Sequence, residues 1–194
     1  MQYHWTMIEL FIYMLTMSIT PGPNTILSMA NAAAVGLRKG IGLNIGMLCG
    51  ISAVTLIAWL ATSLLYSAIP QAESIMKGVA VIYLAYLAIR MLRAGTASSS
   101  ASSATFIEGM LLQLVNVKVY LLALTAIAAY IIPMDLPGVQ TALLVAAIPA
   151  ICFISGLVWA VGGSLLRSVY ERRKRLFSII FALLLMWCAI SLII

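Results

Sequence analysis

One lysine lies deep inside an apolar stretch of this sequence, where a charged side chain is hardest to explain. Lys118 follows Gln113 and Asn116 within the run 106–132. If that run crosses a membrane, a lysine at its centre costs about 2.5–3.5 kcal/mol on insertion scales. None of the five Asp and Glu residues is expected at the same depth. The ammonium group therefore suits an anion that binds and leaves, although a structural lysine held by helix-end carbonyls is the alternative.

A second interruption, Thr20-Pro21-Gly22-Pro23-Asn24, divides the apolar run 7–35. Proline has no amide hydrogen, so the carbonyls of Met17 and Ile19 lose their helical donors. Each residue before a proline is also pushed out of the α region. The motif predicts unwound backbone, which hydrocarbon tolerates only beside protein or a water-filled cavity. A purely structural hinge is the alternative.

The two interruptions are expected at matching depths. Asn24 lies about 18 Å from one end of its run, and Asn116 lies about 15 Å from the same side, at 1.5 Å per residue. Paired breaks near the midplane point to a transporter's binding site. The half-helix that begins near Asn24 would direct free amides at a carboxylate. The carbonyls of the first break and the amide oxygens of Asn24 and Asn116 would take an ammonium group, and Lys118 would exchange a proton as substrate binds.

Composition excludes an ordinary soluble domain. Of 194 residues, 64% are hydrophobic and 8% are charged, whereas soluble chains are about a quarter charged. The net charge of +6 lies in short loops, where it sets topology and contacts anionic lipid rather than nucleic acid. The first apolar run lacks a basic leader, so we expect a transmembrane helix there and not a signal peptide.

Six apolar runs have the length that a membrane span needs, which is about 20 residues. They are 7–35, 41–66, 75–92, 106–132, 139–166 and 176–194. A Ser-rich stretch, 95–105, is expected to be a flexible linker. We therefore expect an all-α integral membrane protein with one transporter domain over 1–194, in which 1–94 and 106–194 are two repeats.

The basic residues indicate how the chain is oriented. The loops after the first, third and fifth runs hold nine of the eleven lysines and arginines: Arg38, Lys39, Arg90, Arg93, Arg167, Arg172, Arg173, Lys174 and Arg175. Positive loops stay in the cytoplasm, which leaves both termini outside. Two halves of three spans each then enter the membrane from opposite sides, as inverted repeats do.

The second run has glycines at every fourth position, Gly42, Gly46 and Gly50. This spacing predicts a small-residue face for close helix packing. Asn44 or Gly50 could also line a pathway.

At these residues the chain resembles the LysE/RhtB amino-acid exporters. The resemblance rests on the 20–24 motif, the Gly-rich second run, the pattern at 78–87 and Asn116-Val117-Lys118. It covers essentially the whole chain. The family commonly has Asn-Pro-Lys where this chain has Asn-Val-Lys. The stretches 112–118 and 182–190 look closest to the cysteine/O-acetylserine exporter branch.

The resemblance implies a secondary exporter for efflux of small neutral amino acids, with cysteine and O-acetylserine favoured, by proton antiport in the bacterial cytoplasmic (inner) membrane. Substrate, protons and membrane lipids are the expected partners, and a homo-oligomer is compatible with this. No cofactor, metal, catalytic residue or nucleic acid is expected. The expected substrate-binding residues are Thr20, Pro21, Gly22, Pro23, Asn24, Asn44, Gln113, Asn116 and Lys118.

Other functions are less well supported by the residues. An intramembrane enzyme would need motifs such as His-Glu-x-x-His or Gly-x-Ser-x-Gly, which the sequence lacks. Cys49, Cys152 and Cys188 lie in apolar runs and suit packing, although Cys49 and Cys152 in equivalent spans could carry electrons between thiols. A passive channel is the remaining alternative. There is no phosphate-binding loop, so a transporter of this sequence would use a gradient.

The charge bias makes orientation testable. Tags at either terminus should be accessible from outside intact cells, and a tag in the 95–105 stretch only from the cytoplasm. Protease protection measures this. A cytoplasmic C-terminus would contradict both the six-span arrangement and the inverted repeat.

Overall fold

A computed structural model describes residues 2–60, 62–96 and 104–191, and these ranges are helical almost throughout. The helices are α1 (Gln2–Ile19), α2 (Pro23–Val35), α3 (Leu37–Leu60), α4 (Thr62–Thr96), α5 (Phe106–Val115), α6 (Val117–Thr125), α7 (Gly138–Leu165), α8 (Arg167–Arg172) and α9 (Lys174–Ile190). A π-helical segment (Ala126–Ile131) and a 3₁₀ turn (Ile132–Met134) continue α6.

Several described helices have the apolar character of membrane spans. By length and composition alone, three stretches can cross a membrane: Leu37–Leu60, Val117–Met134 and Gly138–Leu165. Trp5–Ile19 and Phe106–Val115 are apolar but shorter, because a break ends each of them. The all-helical membrane class expected from the sequence is confirmed.

The helix ends differ from the sequence expectation between the second and third runs. The helix α3 ends at Leu60 rather than near residue 66, and α4 runs from Thr62 to Thr96 through the stretch expected to be a loop. Hydropathy marks where a chain meets lipid, whereas a helix ends where its backbone hydrogen bonds end, so the two boundaries need not coincide. At 1.5 Å per residue α4 is about 52 Å long, well beyond the roughly 30 Å of hydrocarbon.

The core has two large clusters of buried side chains and a small third one formed by Ile51, Val54 and Val119. One cluster joins α2, the start of α3 and α5 to α4 and α9, with Leu43, Leu84 and Leu185 fully buried. The other joins α1, the end of α3 and the α6–π segment to α7, around Met14 and Ile127. The breaks at α1–α2 and α5–α6 therefore separate the two clusters along the bundle.

The three basic connections meet at one end of the bundle. Asn31 on α2 donates to the Gly40 carbonyl at 3.2 Å and accepts from the Ala104 amide at 2.8 Å. Arg90 forms an ion pair with Glu108. Most of the expected linker, residues 97–103, lies outside the described residues, but Ala104 is buried and so anchors its far end.

The connection between α2 and α3 is the single residue Gly36. Its φ of +85° is a conformation that side chains disfavour. An added Cβ would also lie 2.6 Å from the Arg167 guanidinium group. Glycine therefore allows both the sharp turn and the contact with the first residue of α8.

Glycines also bring helix backbones into contact. A Cβ at Gly46 would overlap the Phe106 carbonyl, and one at Gly109 would overlap the Leu43 carbonyl, so α3 and α5 touch through their backbones. Gly163 on α7 lies equally close to the Met29 carbonyl on α2. The expected small-residue face is confirmed at Gly46 but is wrong at Gly42, which has no neighbour within 4 Å, because it points away from α5.

This difference gives a matched pair of variants on one helix. Gly46→Ala should destabilise the protein by about 1–3 kcal/mol, as overpacking usually does. Gly42→Ala should be neutral or slightly stabilising, since alanine is the better helix former by roughly 1 kcal/mol. Thermal unfolding of the detergent-solubilised protein measures both. Equal melting temperatures for the two variants would contradict the α3–α5 contact.

Candidate functional site

At the break between α1 and α2, backbone carbonyl groups have lost their helical donors and accept hydrogen bonds from side chains of other helices. Trp159 Nε1 donates to the Ile19 carbonyl at 3.1 Å, and Lys118 Nζ donates to the Thr20 carbonyl at 3.0 Å. The sequence pointed to the carbonyls of Met17 and Ile19 as those left free. In the structure the Ile19 carbonyl is already paired, and the carbonyl that meets the lysine is the next one along the chain.

The helix α2 begins at this break with its own local cap. Gly22 is the N-cap residue and Pro23 is the first helical residue, a position where a missing amide hydrogen costs nothing. Thr25 Oγ1 accepts from the Gly22 amide at 2.9 Å and donates to the Gly22 carbonyl at 3.0 Å. The start of α2 is therefore fixed by residues of the motif itself.

The second break, at Asn116, forms without a proline. The Asn116 side chain caps α6 by accepting from the Lys118 amide at 3.1 Å. The backbone amide of Asn116 donates to the Gln113 carbonyl at 3.3 Å. An asparagine cap is enough to end one helix and begin the next, so Val117 in place of the family's proline preserves the break.

Three amide side chains join the two breaks. Asn24 donates to Gln113 Oε1 at 2.8 Å, and Gln113 donates back to Asn24 Oδ1 at 3.1 Å. Asn116 Nδ2 donates to the same Asn24 oxygen at 3.1 Å. Since an amide oxygen has two lone pairs, Asn24 Oδ1 is fully used. The amides expected to receive an ammonium group thus hold the breaks together in this structure.

Lys118 is the charged group at this junction. It is half-buried, and the Thr20 carbonyl is the partner of its ammonium group. Glu108 and Glu171, the carboxylates that form ion pairs in the described ranges, pair with Arg90 and Arg167 instead. Its positive charge is therefore met by a carbonyl dipole and not by an anion.

Helix ends of both signs meet at the junction. The N-termini of α2 and α6 carry partial positive charge, and the C-termini of α1 and α5 carry partial negative charge. With the ammonium group beside them, the two N-termini favour a carboxylate. The carbonyls at the end of α1, which accept from Trp159 and Lys118 here, favour a cation. The junction thus complements a zwitterion.

Two cavities share this junction as a common wall. Gly22, Pro23, Asn116 and Lys118 line both of them. The expected site residues that line the first cavity are Thr20, Gly22, Pro23, Asn24, Asn44, Gln113, Asn116 and Lys118. Pro21 lines the second cavity, together with residues of α4 and α9 such as Leu84 and Cys188.

The sequence did not identify every polar group around the first cavity. Ser18 Oγ and Cys152 Sγ lie 3.1 Å apart there, and Trp159 closes the end of α1. No local motif marks these residues, because Cys152 and Trp159 on α7 meet α1 only through the packing of the bundle. Cys49 is exposed and lines neither cavity, so it does not share a cavity with Cys152.

Comparisons with known proteins show which family the chain is similar to. The profile of the family described as LysE type translocator matches residues 15–194. The cysteine/O-acetylserine efflux protein of Klebsiella pneumoniae is 29% identical over 97% of this chain and 98% of its own length. Those of Salmonella choleraesuis and Escherichia coli K12 are 32% and 28% identical, each over 93% of both chains. No solved structure matches the chain.

The first break can be tested by restoring its backbone donors. With Pro21 and Pro23 both changed to alanine, α1 can continue into α2, and the Thr20 carbonyl would then pair with the Asn24 amide instead of Lys118. The double variant should insert into membranes and lose most of the transport expected from the sequence. Transport in vesicles and the amount of membrane-inserted protein are the measurements. Wild-type transport at wild-type amounts would reduce the motif to a dispensable kink.

Proposed function

Because this chain belongs to the LysE type translocator family, we propose that it is a secondary exporter of small neutral amino acids, with cysteine and O-acetylserine as favoured substrates. It is a membrane transporter rather than an enzyme. The observation that carries the proposal is Lys118, whose ammonium group pairs, among the residues that the structure describes, with a backbone carbonyl where two helix breaks meet. The names of the relatives support the choice of substrates.

We place the protein in the bacterial cytoplasmic membrane with six spans, as inverted repeats 1–94 and 106–194 joined by the linker 95–105, and with both termini outside. The two broken helices support this arrangement, since inverted-repeat transporters bind substrate between discontinuous helices. The shared location of the basic connections at one end of the bundle agrees with it.

A bound amino acid would take the place of the contact between Lys118 and Thr20. The substrate carboxylate would pair with the Lys118 ammonium group and face the N-termini of α2 and α6. The substrate ammonium group would bond the Thr20 carbonyl that the lysine releases. Each charge gains a partner of opposite sign while the amide network of Asn24, Gln113 and Asn116 stays in place.

Proton coupling would use the same replacement of the Thr20 carbonyl by the substrate carboxylate at Lys118. A lysine can give up its proton, so its charge can be present when substrate binds and absent when the site returns empty. We propose that Lys118 is the coupling residue and that export is exchanged for proton entry.

Counterflow in vesicles that contain only this protein tests the function. Vesicles preloaded with unlabelled cysteine under reducing conditions should accumulate labelled cysteine transiently, and the initial rate should saturate. O-Acetylserine inside the vesicles should support the same exchange. A rate that rises linearly with concentration, without counterflow, would indicate a passive channel instead.

Variants of Lys118 test its role. Lys118→Met should abolish counterflow while the protein inserts normally, because removing a half-buried charge does not hinder insertion. Lys118→Arg should fail to drive export from a pH gradient, because a guanidinium group keeps its proton. Gly42→Ala serves as the control that should behave as wild type. Full, equally pH-dependent export by the arginine variant would place the proton route elsewhere.

A further inference from the structure

A buried pair of polar side chains, Ser28 on α2 and Asn44 on α3, lies beside the first cavity. Ser28 Oγ donates to Asn44 Oδ1 at 2.7 Å, and the two residues are 0% and 2% exposed. A second, much longer contact joins Ser28 Oγ to Met47 Sδ at 3.6 Å. Because the serine hydroxyl bonds the amide oxygen, the amide nitrogen of Asn44 must face another direction.

That nitrogen has no hydrogen-bond partner within the described ranges, and Asn44 lines the first cavity. The other three amide side chains at the site donate to protein acceptors, as Asn24 does to Gln113 and Asn116 does to Asn24. The nitrogen is not among the fully buried side-chain atoms that lack a partner, so it is reached from the cavity that Asn44 lines. Asn44 therefore offers the cavity a donor that the protein itself does not use.

Gly156 on α7 lies against this pair and also lines the first cavity. A Cβ there would lie 3.1 Å from Asn44 Oδ1 and 3.7 Å from Ser28 Oγ. The first distance is tighter than an ordinary contact, so any side chain would displace the Asn44 amide. Glycine leaves the room that the observed orientation of Asn44 needs.

Ser28 of this pair lies one helical turn from the break between α1 and α2. Ser28 follows Asn24 by one helical turn on the same face of α2, about 6 Å along the axis. An amino acid whose charged groups bind at Lys118 and Thr20 could thus extend its side chain toward Asn44.

We propose that Asn44 is a specificity-determining residue that donates a hydrogen bond to an acceptor oxygen in the substrate side chain. It selects amino acids with such an oxygen, such as the ester carbonyl of O-acetylserine, over apolar side chains of similar length. Ser28 and Gly156 are positioning residues that hold the amide. The inference rests on the proposed function and assigns the part of the site that recognises the side chain.

Two measurements on the purified full-length protein test this. Binding is measured as thermal stabilisation by added ligand, and transport as inhibition of labelled cysteine counterflow. O-Acetylserine is compared in both with norleucine, which has a similar length and no acceptor. Wild type should prefer O-acetylserine. Asn44→Leu should weaken the binding of O-acetylserine relative to that of norleucine by roughly tenfold, the value of one hydrogen bond to a polar group.

The positioning residues supply independent variants. Ser28→Ala and Gly156→Ala should each shift the preference in the same direction by a smaller factor, because they move the amide without removing it. Gly162→Ala on the same helix is the matched control, since a Cβ there meets nothing within 4 Å. These variants keep the test available if Asn44→Leu does not fold.

The outcomes separate the two proposals. Equal binding of O-acetylserine and norleucine by wild type, or an unchanged preference in Asn44→Leu, would overturn the role of Asn44 even if cysteine counterflow is intact. Absence of counterflow in wild type would overturn the proposed function, and the binding comparison would still decide whether Asn44 recognises an acceptor.

Discussion

A backbone group in hydrocarbon must have a hydrogen-bond partner, and in this protein the second broken helix supplies one to the first. An unpaired amide or carbonyl in lipid costs several kcal/mol, so a lone break between α1 and α2 would be hard to maintain. Lys118 from the second break donates to the Thr20 carbonyl of the first. The side chain of Asn24, from the first break, bonds the side chains of Gln113 and Asn116 beside the second. The two breaks are therefore joined by a side chain-to-backbone contact and by a network of side-chain amides.

Close helix packing makes this mutual pairing geometrically possible. At Gly50 a Cβ would lie 2.8 Å from the Cβ and Cγ atoms of Gln113. A side chain there would displace Gln113 and with it the two hydrogen bonds to Asn24. The backbone contact between α3 and α5 at Gly46 continues the same seam. The glycines of α3 thus support the site although they contribute no polar group to it.

At the junction, the amide side chains are held by one another, whereas the Lys118 ammonium group is less constrained. The amide side chains are paired with one another and with helix ends, so they fix the distance between the breaks. Within the described ranges, the Lys118 ammonium group is bonded to the Thr20 carbonyl, and its side chain lines both cavities. The proposed binding of a substrate carboxylate would replace that one contact and leave the amide network in place.

The sequence by itself determined the features that follow from covalent chemistry and from the cost of polar groups in lipid. Two prolines two residues apart end a helix whatever surrounds them, so the break at residues 20–22 was predictable. A lysine inside an apolar run is costly in a membrane, so the sequence marked Lys118 as a candidate functional residue. The apolar composition indicated a membrane protein. The recurrent basic loops indicated which connections lie at the same end. The family followed from the same motifs.

Only the tertiary structure decided which groups face one another. Gly42 and Gly46 are equivalent by spacing, yet only Gly46 touches α5, because the rotation of α3 about its axis is set by packing along its whole length. Trp159 donates to the Ile19 carbonyl, and the Asn24 side-chain oxygen accepts from two other amides. Fewer acceptor groups are therefore left for a ligand than the sequence suggested. Asn44 stands out because its side-chain nitrogen has no partner within the described ranges. The Ser28 hydroxyl bonds the amide oxygen and so sets the direction in which that nitrogen faces. Such partnerships join residues far apart in the chain, and local rules of sequence carry no information about them.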